Sequence, residues 1–513
     1  MKGQSSKVGS LLKSLLILSL FPLFFILHGY NENFGLVSFS TLALLFLKYF
    51  SIATGIFLLS LLLFKLQNKA FVFTFYCLTI YFFFGFIHDF VSHYLQGSFF
   101  VSYKFILPFI LLITSLILFL IKRSKNSFSR LSLYVSILLL IFTVIEVVTF
   151  SYKILTDADS KNNLIIEKER FDFNQSGSCF DKPDIFFIVF DEYASTEGLK
   201  KFFDNDNSRI DSTFISNGFY ISEQSRSNYN FTPFSLASTL NCEYLDLKRS
   251  DSLFSNTRLL QGIETFRKNR LTEFLKEQGY EIQNYGCFDL EGTESTAYTD
   301  FEWLPRNMID KQTLSSRFRD DIGWQLQTKN IFTGESKIPR SYWDKKKKHI
   351  ARNEYNLNAL MNELKTSDSK PRFVYAHLML PHEPYYFDSL GNFIDDTLLY
   401  QNRILPEVGY FNQLKYCNRI LAELIKLVVG KSDRKRVVII EGDHGCRFHN
   451  LVPSKEMEFY NLNAYYFSDG DYRSLYKSIS PVNSFRVVLN KYFCGNLPLL
   501  NDSSFYMKQK GRY

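Results

Sequence analysis

Within its first 152 residues the chain carries five apolar runs, at 11–28, 42–64, 71–90, 105–121 and 131–151. Each is close to the roughly 20 residues that a helix needs to cross a hydrocarbon core. In lipid such a run has to be helical, because only a helix satisfies its own backbone groups segment by segment. The first run follows basic residues, as a signal peptide would. No small-residue cleavage site comes after it and the second run begins soon, so it is read as a retained helix. Five membrane spans are therefore expected.

Loop charge gives them a direction. Lys2, Lys7 and Lys13 precede or enter the first span, Lys65 and Lys69 follow the second, and Lys122, Arg123, Lys125 and Arg130 separate the fourth from the fifth. The loops around 31–33 and 88–102 hold no Lys or Arg. Basic loops face the cytoplasm, so the N-terminus is expected inside and everything after 151 outside. That describes a multi-pass protein of a bacterial cytoplasmic membrane with an extracytoplasmic domain. The formal charge of +8 owes much to these anchors and is no sign of nucleic-acid binding. Lys48 and Glu146 lie in or near spans; Lys48 is read as snorkelling to the interface or facing a neighbouring helix, and the deeper Glu146 is a candidate functional residue.

Beyond the spans, 153–183 reads as a polar linker and 184–513 as a soluble domain, after a membrane domain of 1–152. Of seven Cys, Cys77 lies in a span; the rest are scattered without a CxxC pair, and Cys242 with Cys287 is a candidate bridge.

Three stretches of the soluble part share one grammar. The stretch 436–447 reads R-V-V-I-I-E-G-D-H-G-C-R, a β-branched strand ending at Asp443 and His444. Such a continuous apolar run suits a parallel strand buried on both faces. Carboxylate and imidazole at its C-terminal end lie where open α/β sheets place ligand sites, and both suit zinc or manganese. Gly445 is expected to permit a sharp turn there. The stretch 184–193, D-I-F-F-I-V-F-D-E-Y, repeats the pattern and ends in Asp191 and Glu192. In 372–385, R-F-V-Y-A-H-L-M-L-P-H-E-P-Y, a third strand leads to His377 and His382, two of only eight His. Further helices are expected over 271–279, much of 320–365, 410–429 and 483–492, and a further strand over 280–285. The basic run Lys345–Lys348 beside Trp343 reads as a solvated helix face or a lipid contact.

Between these strands, Thr232 and Pro233 in N-Y-N-F-T-P-F-S-L-A-S-T-L-N (228–241) mark a helix start. Two roles stay open for Thr232: a hydroxyl N-cap, or a nucleophile at a helix N-terminus that favours phosphate.

Taken as a set, D-I-F-F-I-V-F-D-E, T-P-F-S-L-A-S, H-L-M-L-P-H-E-P-Y and G-D-H-G resemble the sulfatase-like branch of the alkaline phosphatase superfamily. With five helices in front, the chain resembles lipoteichoic acid synthases and phosphoethanolamine transferases. The resemblance implies an α-helical membrane domain followed by an α/β domain with a mostly parallel central sheet and helices on both faces. It implies one divalent ion, zinc or manganese, on Asp191, Thr232, Asp443 and His444, and leaves a second ion open. Thr232 would be the nucleophile, and His377 and His382 would bind substrate or a second metal. Two departures stand out. The transferases usually carry Glu where this chain has Asp191, and Glu192 next to it is a further candidate ligand. True sulfatases use Cys or Ser as the nucleophile, with Pro at +2 and Arg at +4; here Thr232 is followed by Phe234 and Leu236 at those offsets. Thr cannot yield formylglycine.

The expected activity is transfer of a phosphoglycerol or phosphoethanolamine headgroup. The donor would be a membrane phospholipid, the acceptor an envelope glycan or lipid, and the intermediate a phosphothreonine. His382 would protonate a leaving group, and Arg447 would hold phosphate bidentately. The alternatives are a phosphodiesterase or sulfuric-ester hydrolase using the same metal site, and a non-catalytic glycan-binding membrane protein.

Overall fold

A computed structural model describes residues 2–95, 98–156, 163–165, 171, 173, 182–247, 253–295, 308–323, 338–401, 403–447 and 454–509. Most of the expected linker 153–183, and the 324–337 part of the expected helix 320–365, lie outside the described residues. Two units emerge. One comprises 1–162 with 301–337, and the other 163–300 with 338–513. The described residues 308–323 fall within the first of these units.

In the membrane unit five helices follow the five runs: α1 (Lys2–Glu32), α2 (Phe39–Phe64), α3 (Gln67–Tyr94), α4 (Tyr103–Arg123) and α5 (Ser129–Leu155). All five are long and apolar enough to cross a membrane. Helix α1 packs on α5 and α2, and α2 on α3, around Phe21, Phe25, Tyr49 and Phe82. The charged residues inside this unit have partners. Glu146 meets His28 Nδ1 at 2.9 Å and accepts from the Asn31 amide at 2.7 Å. Lys48 does not merely snorkel, since its Nζ lies 3.4 Å from Asp310 Oδ2.

The second unit is built on strands β1 (Asp184–Phe190), β2 (Tyr220–Ile221), β4 (Glu281–Tyr285), β5 (Arg372–Leu378), β6 (Arg436–Glu441) and β7 (Asn463–Phe467). They form one sheet in the order β2-β7-β6-β1-β5-β4, with β3 (Leu253–Phe254) pairing separately with β8 (Lys508–Gln509). Strands β6, β1, β5 and β4 run parallel, while β7 and β2 close one side antiparallel. The fold is therefore the expected mostly parallel α/β sheet. β1 is central and every one of its residues is buried, because it is covered on both faces. Each large apolar side chain there, such as Phe187 or Ile188, stabilises the fold by about 1.5–3 kcal/mol.

The faces divide by strand alternation. Phe186, Ile188 and Phe190, with Val374, Val438 and Ile440, pack towards α11 (Arg340–Lys365) and α12 (Pro406–Val428). Phe187 turns to the opposite face, 5.3 Å from the ring of Phe485 in α13 (Pro481–Tyr492). That second face also carries α8 (Thr232–Asn241), which is buried along its whole length. The shorter helices α6 (Thr196–Phe203), α7 (Ser208–Ser216), α9 (Asn256–Arg267) and α10 (Arg270–Glu277) complete the layers. Of these, α10 was expected and the other three were not. Cys242 and Cys287 are free thiols, so the candidate bridge between them is not formed, whereas Cys494 is disulfide-bonded.

Candidate metal centre and active site

Strand register brings the site together. Val189 of β1 pairs with Glu441 of β6 on one side and with His377 of β5 on the other. Two residues beyond this level, Asp191 and Asp443 leave their strands on the face covered by α8. The ligand atoms of Asp191, Asp443 and His444 all lie within 4.8 Å of one another, and all three residues are buried. The chain bends at Asp443 and His444, and Gly445 after them allows a close approach. A Cβ there would sit 2.1 Å from the carbonyl oxygen of Met457, whose segment also accepts the Gly445 N–H at Glu458 O.

The tautomer of His444 follows from its neighbours. Nδ1 lies 2.8 Å from the Gly445 carbonyl, an acceptor only, so Nδ1 carries the proton and donates. Nε2 then presents its lone pair to the cluster, 3.4 Å from Asp443 Oδ2, 3.9 Å from Asp191 Oδ1 and 3.5 Å from Thr232 Oγ1. Burial, then the charge of Arg447, push His444 down to about 3, so it stays neutral. Burial, then Asp191, push Asp443 up to about 6. Burial alone would also raise Asp191, but His382, His377 and His444 outweigh it and hold that carboxyl well below the usual range. Asp191 Oδ1 and Asp443 Oδ2 are buried with no hydrogen-bond partner among the described residues. Two acceptor-only oxygens and an imidazole lone pair facing one another in a dry site repel unless a cation lies between them. This donor set fits a divalent ion of the zinc or manganese kind.

Thr232 opens α8, but its hydroxyl does not cap the helix. The cap residue is Phe231, whose carbonyl accepts from Phe234 and Ser235 N–H, and no side-chain cap bond is made. The expected N-cap role is thus not the one observed: Oγ1 points to His444. Pro233 and the small residues after it let α8 pack tightly, and Ser235 Oγ donates to the Asp443 carbonyl at 2.6 Å.

Glu192, the further candidate ligand, is not among the three residues whose ligand atoms cluster. Its backbone is left-handed, at φ 64°, which for a non-Gly residue costs of order 1–3 kcal/mol. The Glu192 N–H donates to Asp443 Oδ1 at 3.0 Å, and Tyr410 OH donates to its carbonyl at 2.8 Å; both bonds hold the turn. The turn swings the Glu192 carboxylate to Arg447 Nε at 3.1 Å and to within 3.9 Å of His382 Nε2. Arg447 also donates to Asn230 O at 3.0 Å and lies 4.5 Å from the Phe231 ring centroid. Burial opposes the charge on His382, but Glu192 and Asp191 raise it to about 9, so it is a cation at neutral pH. Glu192 therefore gathers two cations beside Thr232.

His377 pairs with Asp191. It is fully buried, with Nε2 3.2 Å from Asp191 Oδ2 and Nδ1 3.0 Å from Tyr375 OH and 3.3 Å from Cys287 Sγ. It orients Asp191, as an outer partner orients a metal ligand. Neither the Tyr375 nor the Cys287 contact of His377 was foreseen from sequence, since their proximity arises from sheet pairing between β4 and β5. Glu441 was also missed. Its carboxylate oxygens have no partner among the described residues, and burial, then Asp443, push it well above the ordinary range.

An α/β sheet thus brings carboxylates and His from its strand ends against a hydroxyl at a helix start. The sulfatase family model matches residues 214–487, more than half of the chain, and the chain belongs to that family. No curated protein matches the sequence. Among solved structures, the chain is similar to the periplasmic domain of the phosphoethanolamine transferase EptC from Campylobacter jejuni. Identity is 15%, coverage 63% of this chain and 92% of that one, and the TM-score 0.38. It is also similar to the integral membrane lipooligosaccharide phosphoethanolamine transferase EptA from Neisseria meningitidis, at 13% identity, 96% and 95% coverage and a TM-score of 0.38. A sulfatase from Bacteroides fragilis, described as putative in its own name, gives 12%, 65% and 78%, and 0.37.

Proposed function

We propose that this membrane protein transfers a phospho-headgroup, phosphoglycerol or phosphoethanolamine, from a membrane phospholipid to an envelope glycan or lipid. The reading rests above all on Thr232, whose hydroxyl makes no cap and faces His444 Nε2 at 3.5 Å. The residues that would hold a divalent ion are Asp191, Asp443 and His444, with Thr232 as the fourth donor. Bound there, the ion supplies positive charge against the phosphodiester and lowers the pKa of the hydroxyl.

The chain's own groups carry the rest. Thr232 Oγ1, its proton already lost to water, attacks phosphorus as the alkoxide while the phosphorus–oxygen bond to diacylglycerol breaks, giving a phosphothreonine ester. His382, charged at neutral pH, hands its proton to the departing diacylglycerol oxygen and is left as the base for the second half. An acceptor hydroxyl then gives its proton to His382 and attacks phosphorus, and Thr232 Oγ1 is released. Arg447, fixed by Glu192 and Asn230, steadies the phosphate oxygens; His377 holds Asp191 in place. A Thr at this position supplies no formylglycine, which favours phosphoryl over sulfuryl chemistry. Incubating the protein with membranes and measuring the mass of the Thr232 peptide tests the reading. A headgroup-phosphate adduct on Thr232 is expected, and an unmodified Thr232 under turnover would refute it.

The lipid donor requires the catalytic unit to be on the side its substrate occupies. The basic loops favour a cytoplasmic N-terminus. A reporter fused after Lys125 is expected to read cytoplasmic and one after Lys161 extracytoplasmic. Both on one side would remove the five-span arrangement and the donor argument with it.

A further inference from the structure

The excursion assigned to the membrane unit, described over 308–323, touches four of its helices through bonds of several kinds. Ile309 is 5% exposed and joins the apolar core of the helices, against Gly29 of α1. Asp310 is fully buried, with Lys48 of α2 at 3.4 Å. The Gln312 carbonyl accepts the backbone N–H of Gly85 in α3 at 2.8 Å. Any Cβ at Gly85 would stand 2.1 Å from Gln312 Oε1 and 2.9 Å from Gln312 Cα, so only Gly admits the segment so closely. Further along, Ser315 bonds Tyr81 of α3 at 2.7 Å, Arg317 pairs with Asp89 of α3, and Tyr103 of α4 donates to Asp321. Within the segment, Thr313 Oγ1 accepts from Ser316 N and donates to the Asp310 carbonyl, which rigidifies the turn that presents Asp310.

A loop resting on lipid-exposed helices would show polar side chains turned away and an apolar rim. Here a carboxylate is buried against an ammonium, and a helix glycine is shaped to one loop carbonyl. Such an arrangement is specific, since a buried charge without its partner is strongly unfavourable. We propose that residues 308–323 form a strap, and that α1, α2 and α3 together are its receptor. The polypeptide of the catalytic unit is then held to the membrane unit by a non-covalent lock as well as by the 153–183 linker. The lock depends on Lys48–Asp310 and on Gly85.

The test separates the lock from the linker. A specific protease site inserted after Ser176 of the full chain is cut in detergent, and the products are passed over a sizing column. The strap predicts that the fragments on either side of the cut stay together. Lys48→Met, which removes the ammonium beside Asp310, and Gly85→Val, which blocks Gln312, should each let them separate, although both uncut variants elute as the parent does. Exchanging the charges, Lys48→Asp with Asp310→Lys, should restore joint elution. Separation of the unsubstituted fragments would overturn the proposal. So would joint elution of every variant, because some other contact would then be holding them. A variant whose uncut chain aggregates is replaced in the reading by the other, since they act on different helices.

Discussion

Thr232→Val is expected to fold as the parent does and to lose headgroup transfer by at least about three orders of magnitude. Valine keeps the β-branched shape at a site that is 6% exposed and removes only the hydroxyl. Because that hydroxyl makes no cap, the roughly 1 kcal/mol that a lost cap costs is not at stake here. The loss falls on the barrier instead, where three decades correspond to about 4 kcal/mol. Thr232→Ser keeps the oxygen and is expected to retain part of the activity, whereas Thr232→Asn, an equally good cap, is expected to retain none. Melting curves and transfer rates on the three purified variants check this. Comparable transfer by folded Thr232→Val would exclude covalent catalysis through this residue.

The second large effect is expected at Asp443. Asp443→Asn can still accept the Glu192 N–H, so the left-handed turn survives, but the site loses a negative donor. Metal affinity should fall at least about 100-fold, beyond the 10–100-fold typical of outer partners, and activity with it. Stability separates this from unfolding. In the metal-free protein Asp443 is raised to about 6 from its ordinary 3.8, so its carboxylate form is disfavoured in the fold. Its stabilising contribution is fully present below the ordinary value and is lost as pH rises through about 6. Stripped wild type should therefore melt lower near pH 7.5 than near pH 5. Asp443→Asn should flatten that difference and, stripped, melt above stripped wild type near pH 7.5. Added zinc or manganese should raise the melting point of wild type and leave the variant where it was. A variant that keeps a full equivalent of metal after dialysis would show the ligand assignment to be wrong.

Much of this architecture is legible in the residues. The five apolar runs became five helices, and the unbroken runs over 184–190, 372–378 and 436–440 became the three adjacent central strands. Buried parallel strands show themselves because both faces must be apolar. Strand β7 did not show itself, since five residues among Asn and Tyr carry no such pattern. Helices α6 and α7 are short and polar enough to read as loop. At the site, Asp191, Thr232, Asp443 and His444 were identified by motif, and the structure brings them together. The pairing of Glu192 with Arg447 was not legible, because sequence carries no sign of the left-handed backbone that turns it there. The partner of Lys48 was not legible either, since it lies 262 residues away in the chain. Contacts of that span leave no periodicity to find.

The pairing of Val189 with Glu441 has a consequence for how this chain can change over evolutionary time. Asp191 and Asp443 meet because each lies two steps past that pair, so their distance is inherited from strand pairing and owes nothing to a loop. Apolar residues along 185–190 and 437–440 can be exchanged for one another with little effect on the ligands. One residue inserted or removed between Asp184 and Asp191 would turn the carboxylate to the opposite face of the sheet, among the side chains packed on α11 and α12. Drift in composition is thus tolerated here, while drift in length is not.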